Sequence, residues 1–275
     1  MTRIAVIQMV SSTDVNTNLQ EAARLIAEAA DQGAELVSLP ENFALMGLHD
    51  TDKVAIREKF GAGIIQDFLA TQARKYGVWL IGGTIPLEAS IPNKVRASCL
   101  VINNQGQCVA RYDKIHLFDV QVSADESYCE SRTIEAGQQV CIVDTPFARI
   151  GLAICYDVRF PELFRCLVAQ GATLISLPSA FTAMTGKAHW ETLIRARAIE
   201  NLSYVLAPNQ GGRHANGRET YGDSLIVDPW GHILSRLPHG AGVVYADLDL
   251  NYLQTIRRNF PTLDHQKIAC QQSSI

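Results

Sequence analysis

Apolar runs of strand length recur along the whole chain, and most of them lead into or out of a segment with helical spacing. RIAVIQM at 3–9 reads as a buried strand. The segment after it puts Leu19, Ala22, Ala23, Ile26, Ala29 and Ala30 at helical spacing, and Gly33 stops it. ELVSLP at 35–40 is strand-like again, and a helix near 63–76 leads into VWLIGGT at 78–84. VRASCLVINNQGQCVARYDK reads as a hairpin whose turn is signalled by Asn103, Asn104 and Gly106. IGLAICY, the helix PELFRCLVAQ closed by Gly171, and TLISLPS follow. The helix AHWETLIRARAIEN then shows one apolar face of Trp190, Leu193, Ile194 and Ala198, before SYVLAPN, DSLIVDPWGHIL and GVVYADLDL. No linker, repeat or low-complexity tract interrupts the series. It predicts a single α/β domain over 1–260 with some antiparallel hairpins. The tail, 261–275, has no clear pattern and is expected to drape over the domain or a partner subunit, with its last residues disordered.

Charge narrows the partners. A net charge of −4 leaves no basic footprint for nucleic acid, and no polybasic run marks a membrane surface. The longest apolar stretches fall far short of the roughly 20 residues that a spanning helix needs. MTRIAVIQMVSSTD lacks the length and cleavage site of a secretory signal. Seven cysteines (Cys99, Cys108, Cys129, Cys141, Cys155, Cys166 and Cys270) are odd in number, scattered, and include no CxxC pair. That argues against a disulfide framework and a Cys-rich metal site, and for free thiols in a reducing cytoplasm.

In open α/β sheets the ligand crevice lies beyond the carboxyl ends of the strands. Glu41 follows ELVSLP, Lys114 follows CVARYD, and Cys155 follows GLAI. A thiol with its ordinary pKa of about 8.5 needs a base or a cationic setting to become a nucleophile at neutral pH. A glutamate can take that proton and return it to a leaving amine. An ammonium can stabilise the oxyanion formed when sulfur attacks a carbonyl. A helix starting just after Cys155 would add backbone N–H groups and a favourable dipole near the sulfur. Taken singly, each is more ordinary as a turn acid, a surface charge or a packing thiol. Together they can run acyl transfer to sulfur and hydrolysis of the thioester.

Three local motifs tie these residues to a family. LPENFALMG around Glu41, RYDKIHLFDV around Lys114 and GLAICYDVRFPELFR around Cys155 occur in the order found in the nitrilase superfamily of carbon–nitrogen hydrolases. The chain resembles that family over nearly its whole length. The resemblance implies a four-layer α-β-β-α sandwich, usually paired through its helical faces into homodimers or higher homo-oligomers, with neither metal nor organic cofactor. It makes Glu41 the general base, Lys114 the support of the tetrahedral intermediate and Cys155 the nucleophile. Glu130, in YCES, would position the lysine. Strand, Cys155 and helix would form an elbow, with the Tyr156 backbone N–H as second oxyanion donor. PSAFTAMTGKAHWETLIRARAIEN, QGGRH and YGDSLIVDPWG look like the branch that hydrolyses deaminated glutathione to 2-oxoglutarate and Cys-Gly. ω-Amidases, which take 2-oxoglutaramate, share the first stretch and stand as the alternative; QGGRH and Tyr221-Gly222 lean toward the former. Gln266-Lys267 and Asp223 depart from the family pattern. A non-catalytic binding protein of the same fold is the alternative of a different class, and it has no need of all four residues.

Further residues are candidates for the pocket. Ser179, Phe181 and Thr182 follow TLISLP at another strand end and are expected to line it. Arg159 is a candidate for substrate carboxylates, against an ion pair with Asp157 or Glu162. Arg195 and Arg197 have Glu191 and Glu200 at helical spacing, which favours structural pairs. Arg213 and Arg218 lie in the polar loop NQGGRHANGRET, and a planar cation there could hold a carboxylate. His116, His189 and His214 lack metal spacing, and Gly82-Gly83 lacks the dinucleotide pattern.

Overall fold

A computed structural model describes residues 1–124 and 126–268. Runs rich in Val, Ile and Leu become short strands, since branched side chains pack well on a pleated surface. The first part of the chain gives β1 (Thr2–Gln8), β2 (Leu36–Ser38), β3 (Trp79–Ile81), β4 (Ile85–Glu88), β5 (Val95–Ile102) and β6 (Cys108–Asp113). A separate hairpin pairs β7 (Asp119–Gln121) with β8 (Ser127–Cys129). Then come β9 (Cys141–Asp144), β10 (Arg149–Leu152), β11 (Leu174–Ser176), β12 (Tyr204–Ala207), β13 (Ser224–Val227) and β14 (Ile233–Leu237). The last strand, β15 (Gly242–Leu248), returns to pair with β1. The seven-stranded sheet runs β15-β1-β2-β3-β5-β4 with β6 also on β5, and the six-stranded sheet runs β14-β13-β12-β11-β10-β9. Each has a parallel centre. Ile4 stands opposite Leu36 and Leu36 opposite Trp79 in one, and Ile150 opposite Leu174 and Leu174 opposite Tyr204 in the other.

The longer helices are α1 (Val15–Asp31), α3 (Ile64–Tyr76), α4 (Pro161–Ala169), α5 (Ala183–Asn201) and α6 (Leu250–Asn259); α2 (Asp52–Ala55) is one turn. Alternation along β1 decides the layering. Ile4 and Val6 share a core with Ile150, Leu152 and Leu174 of the second sheet, whereas Ala5 and Ile7 pack with Leu25 and Ile26 of α1 and Leu69 of α3. Phe164 of α4 and Trp190 and Ile194 of α5 cover the second sheet. The two sheets touch at their parallel centres, where the Ser38 and Ser176 hydroxyls meet at 3.1 Å. This is the expected α-β-β-α sandwich.

Two boundaries differ from the sequence reading. The strand before the cysteine stops at Leu152, and Ala153 and Ile154 carry the chain on to Cys155. Helix α5 starts at Ala183, ahead of AHWETL, because the Thr182 hydroxyl caps it by accepting from the Thr185 N–H. The expected tail is described as far as Ile268, and its expected disordered end lies outside the described residues.

Candidate active site

Glu41 leaves β2 on a turn that other strand ends hold in place. Asn42, at φ 57°, donates its N–H to Thr84 Oγ1 at 2.8 Å. Gly83, at φ 56°, passes so close that a Cβ there would lie 2.1 Å from the Pro40 carbonyl oxygen. Only glycine permits that approach. From the far sheet, Gln210 donates to the Glu41 carbonyl at 3.0 Å and to Ser11 Oγ at 2.8 Å, and accepts from the Ser11 N–H at 3.0 Å.

Lys114 follows β6 and is 1% exposed. Its ammonium donates to Glu41 at 2.8 Å and lies 3.0 and 2.9 Å from the two oxygens of Glu130. Glu130 opens a short 3₁₀ turn after β8, and its Oε2 also accepts the Phe118 N–H at 2.8 Å. Burial alone would strip the proton from this lysine, but Glu130 and Glu41 outweigh it and hold its pKa well above the usual lysine range. Burial likewise pushes Glu130 up, yet Lys114 and then Lys53 bring it below the ordinary glutamate value. The lysine is charged, and so is its second carboxylate.

Cys155 sits at φ 46°, in the left-handed region that residues with a Cβ avoid. Its N–H donates to the Pro178 carbonyl at 2.9 Å. The buried Asp157 fixes the turn from below. It accepts from the Ile154 N–H at 2.8 Å, the Tyr112 hydroxyl at 2.7 Å and the His116 N–H at 3.1 Å, and His116 Nδ1 lies at 2.7 Å. The nucleophile turn is thereby bolted to residues two before and two after Lys114. Burial, and then Glu41, push the thiol pKa up; Lys114 and the Ala180 N–H act in the opposite sense. The resting sulfur is a neutral thiol and must lose its proton to a neighbouring base. Residues 155–159 form a 3₁₀ turn, and α4 begins only at Pro161. The long helix whose first turn reaches the cleft is α5, through Thr182 and Thr185.

These groups line one cleft with Phe118, Tyr156, Ala180, Phe181, Thr182, Thr185 and Arg218. Of the expected pocket residues, Tyr156, Phe181 and Thr182 are therefore in place. Arg159 is adjacent, its guanidinium 5.8 Å from the Tyr156 ring centre and 5.3 Å from that of Phe181, with His189 Nδ1 at 3.3 Å. It forms no ion pair with Asp157 or Glu162, because Asp157 is committed to the turn. Ser179 is a correction. It is fully buried and its hydroxyl turns back to the Leu177 carbonyl at 3.0 Å, so it supports the wall without facing the cleft. Arg195 and Arg197 pair with Glu191 and Glu200 as expected. Arg213 is exposed and outside the lining, whereas Arg218 is within it. His214 is satisfied by the Ser11 carbonyl and Thr220. Among the described residues no group of three or more His, Cys, Asp or Glu could hold a metal ion. Phe118, Thr185 and Gln210 were not singled out by the sequence reading, and Asp157 was named only as a possible partner for Arg159. Each lies inside one of the quoted motifs, and that is the signal that could have found it.

A sandwich of this kind, with thiol, ammonium and two carboxylates converging between its sheets, can transfer an acyl group from nitrogen to sulfur. The chain belongs to the carbon–nitrogen hydrolase family, whose model matches residues 3–258. It is 44% identical over 265 residues to the deaminated glutathione amidase of Synechocystis sp. (strain PCC 6803 / GT-S), covering 95% of this chain and 97% of that one. The human deaminated glutathione amidase is 40% identical over 268 residues, 96% of this chain and 82% of its own length. Among solved structures, the C. elegans NitFhit protein matches with a TM-score of 0.88 and 39% identity, over 97% of this chain and 65% of that chain.

Proposed function

We propose that this protein is a cysteine-dependent amidase that hydrolyses deaminated glutathione to 2-oxoglutarate and Cys-Gly. The observation that carries the reading is the Lys114 ammonium, hydrogen-bonded to Glu41 and Glu130 within the cleft that holds Cys155. Glu41 takes the thiol proton as sulfur attacks the amide carbonyl. The oxyanion is stabilised by Lys114 and the Tyr156 backbone N–H. Collapse breaks the C–N bond, and Glu41 gives the proton to the departing amine. Glu41 then deprotonates a water that attacks the thioester, which releases the acid and regenerates the thiol. Glu130 holds Lys114, and Tyr156, Arg159, Phe181 and Thr182 bind substrate; Ser179 acts only through the wall behind them.

The names of the relatives support the choice of substrate, as does the pair of cations at the cleft. A coupled assay for 2-oxoglutarate tests it. Deaminated glutathione should give the higher kcat/KM, 2-oxoglutaramate a lower one, and intact glutathione very little, since its ammonium replaces the expected carbonyl. A clear win for 2-oxoglutaramate would install an ω-amidase instead.

The domain comprises residues 1–260, followed by a tail, in a homodimer or higher homo-oligomer of the cytoplasm. Ile199 on α5, Trp230 and Phe260 are each close to half exposed, and the last two rings meet edge to face at 5.4 Å. Such an apolar patch beside α5 and α6 supports pairing through helical faces. Cys99, Cys108, Cys129, Cys141 and Cys155 are free thiols, which suits a reducing compartment. Light scattering on the purified protein should return at least twice the 30.2 kDa chain mass.

A further inference from the structure

Arg218 occupies a position that the mechanism does not use. Its guanidinium lies in the cleft lining, donates to the Ala180 carbonyl and stands 5.0 Å from the centre of the Tyr128 ring. Its Nε is buried with no hydrogen-bond partner, and among the described residues it has no carboxylate partner. The other charges of the lining are Glu41, Glu130 and Lys114, and Lys114 is shared by both acids. Without Arg218 the lining would be net negative and would repel an anionic substrate.

The side of the cleft matters as much as the charge. Loop 209–220, which carries Arg218, is anchored on the Glu41 segment by Gln210 to the Glu41 carbonyl and by Asn216 to the Gly47 carbonyl at 2.8 Å. Glu41 must face the departing nitrogen in order to protonate it, so the leaving group extends toward that segment. Arg159 is on the nucleophile's own turn, a different wall. The Ala180 carbonyl holds Arg218, and Ala180 itself lines the cleft with Cys155.

We propose that Arg218 is a specificity-determining residue that binds the terminal carboxylate of the leaving dipeptide. This rests on the amidase reading above and extends it to the second half of the substrate. A guanidinium offers the carboxylate two parallel N–H donors, which a neutral substitute does not.

The test compares wild type with Arg218→Gln and Arg218→Lys on three substrates. They are deaminated glutathione, its analogue with a C-terminal carboxamide, and 2-oxoglutaramate, which has no dipeptide. Wild type should prefer the acid over the carboxamide by roughly 10- to 100-fold in kcat/KM, as expected for a lost charge-assisted contact. Arg218→Gln should abolish that preference and lower the ratio of deaminated glutathione to 2-oxoglutaramate by a similar factor. Arg218→Lys should restore part of it. An unchanged ratio, or equal falls on all three substrates, would make Arg218 structural and overturn the proposal while leaving the amidase reading intact. Wild type inert on deaminated glutathione but active on 2-oxoglutaramate would overturn the deaminated glutathione reading, and this proposal with it.

Discussion

The Tyr112 hydroxyl donates to Asp157 Oδ2 at 2.7 Å, which joins the strand that leads into Lys114 to the turn that presents Cys155. The two sheets thus share a buried polar link beneath the cleft. Asp157→Asn keeps the shape but loses the charge and at least one of the converging hydrogen bonds. Hydrogen bonds to a charged group are worth about 1.5–3 kcal/mol each. Thermal unfolding should show a loss in that range, and kcat should fall at least tenfold because thiol and ammonium lose their registration. Unchanged values of both would mean that the link is dispensable.

Cys155→Ala should abolish turnover and leave the fold intact, since the turn is held by backbone atoms and Asp157. Cys108 and Cys141, on edge-facing strands, should tolerate Ala with wild-type kinetics. Cys99, fully buried between the sheets, should keep its activity at a modest stability cost. Steady-state kinetics and circular dichroism on the four variants check this.

Lys114→Met removes an oxyanion donor, so kcat should drop by about 10² to 10³ with a smaller change in KM. The geometry adds a second effect, because Glu41 and Glu130 would then be buried without their cation. Breaking such a pair typically costs about 3–5 kcal/mol, so urea midpoints should fall sharply as well. Lys114→Arg should not rescue activity, since a planar fork does not fit where a single ammonium meets two carboxylates. A kcat within about threefold of wild type in Lys114→Met would remove the lysine from the chemistry.

Acid should loosen the site through Glu130. Its folded pKa lies below the ordinary 4.5, so the stability it contributes is complete above 4.5 and is lost as pH falls through the lower folded value. Lys114 runs the other way, with its contribution complete below 10.5 and lost only as pH rises through the higher folded value. Between these limits the ion cluster should be insensitive to pH. Urea unfolding from pH 7 to pH 3 should show less acid loss in Glu130→Gln than in wild type, and equal slopes would exclude Glu130 as the source.

Gly186→Ala addresses the cleft wall. A Cβ at this buried helical position would lie 2.2 Å from Tyr221 Cγ, and Tyr221 donates its N–H to the Phe181 carbonyl at 2.9 Å. The ring must move, and Phe181 with it. Helix propensity would favour Ala, so a fall in Tm would show the clash outweighing the gain. KM for deaminated glutathione should rise in step.

Residues fixed by local chain direction were legible in the sequence. Glu41, Lys114 and Cys155 each follow a strand-like run, but they stand on two different sheets, and it is the three family motifs that tie them together. Ser179 shares that placement, yet its hydroxyl finds the Leu177 carbonyl, because a short polar side chain can satisfy itself on its own backbone. Arg159 and Arg218 could not be separated from ordinary surface cations by spacing. Their surroundings come from Tyr156, Phe181, Tyr128 and Ala180, which different segments bring together. Asp157 looked like a partner for Arg159. Apart from the local Ile154 N–H, its partners are Tyr112 and His116, from β6 and the loop after it, which no local pattern encodes.

The neutral, 7% exposed thiol of Cys155 also bears on how the protein ages under oxidants. Peroxide attacks thiolates that it can reach, and here burial and then Glu41 favour the neutral thiol in the resting cleft. Mild peroxide given without substrate should leave turnover unchanged and yield no sulfenic acid at Cys155 by mass spectrometry, so the catalyst is protected by its own resting proton.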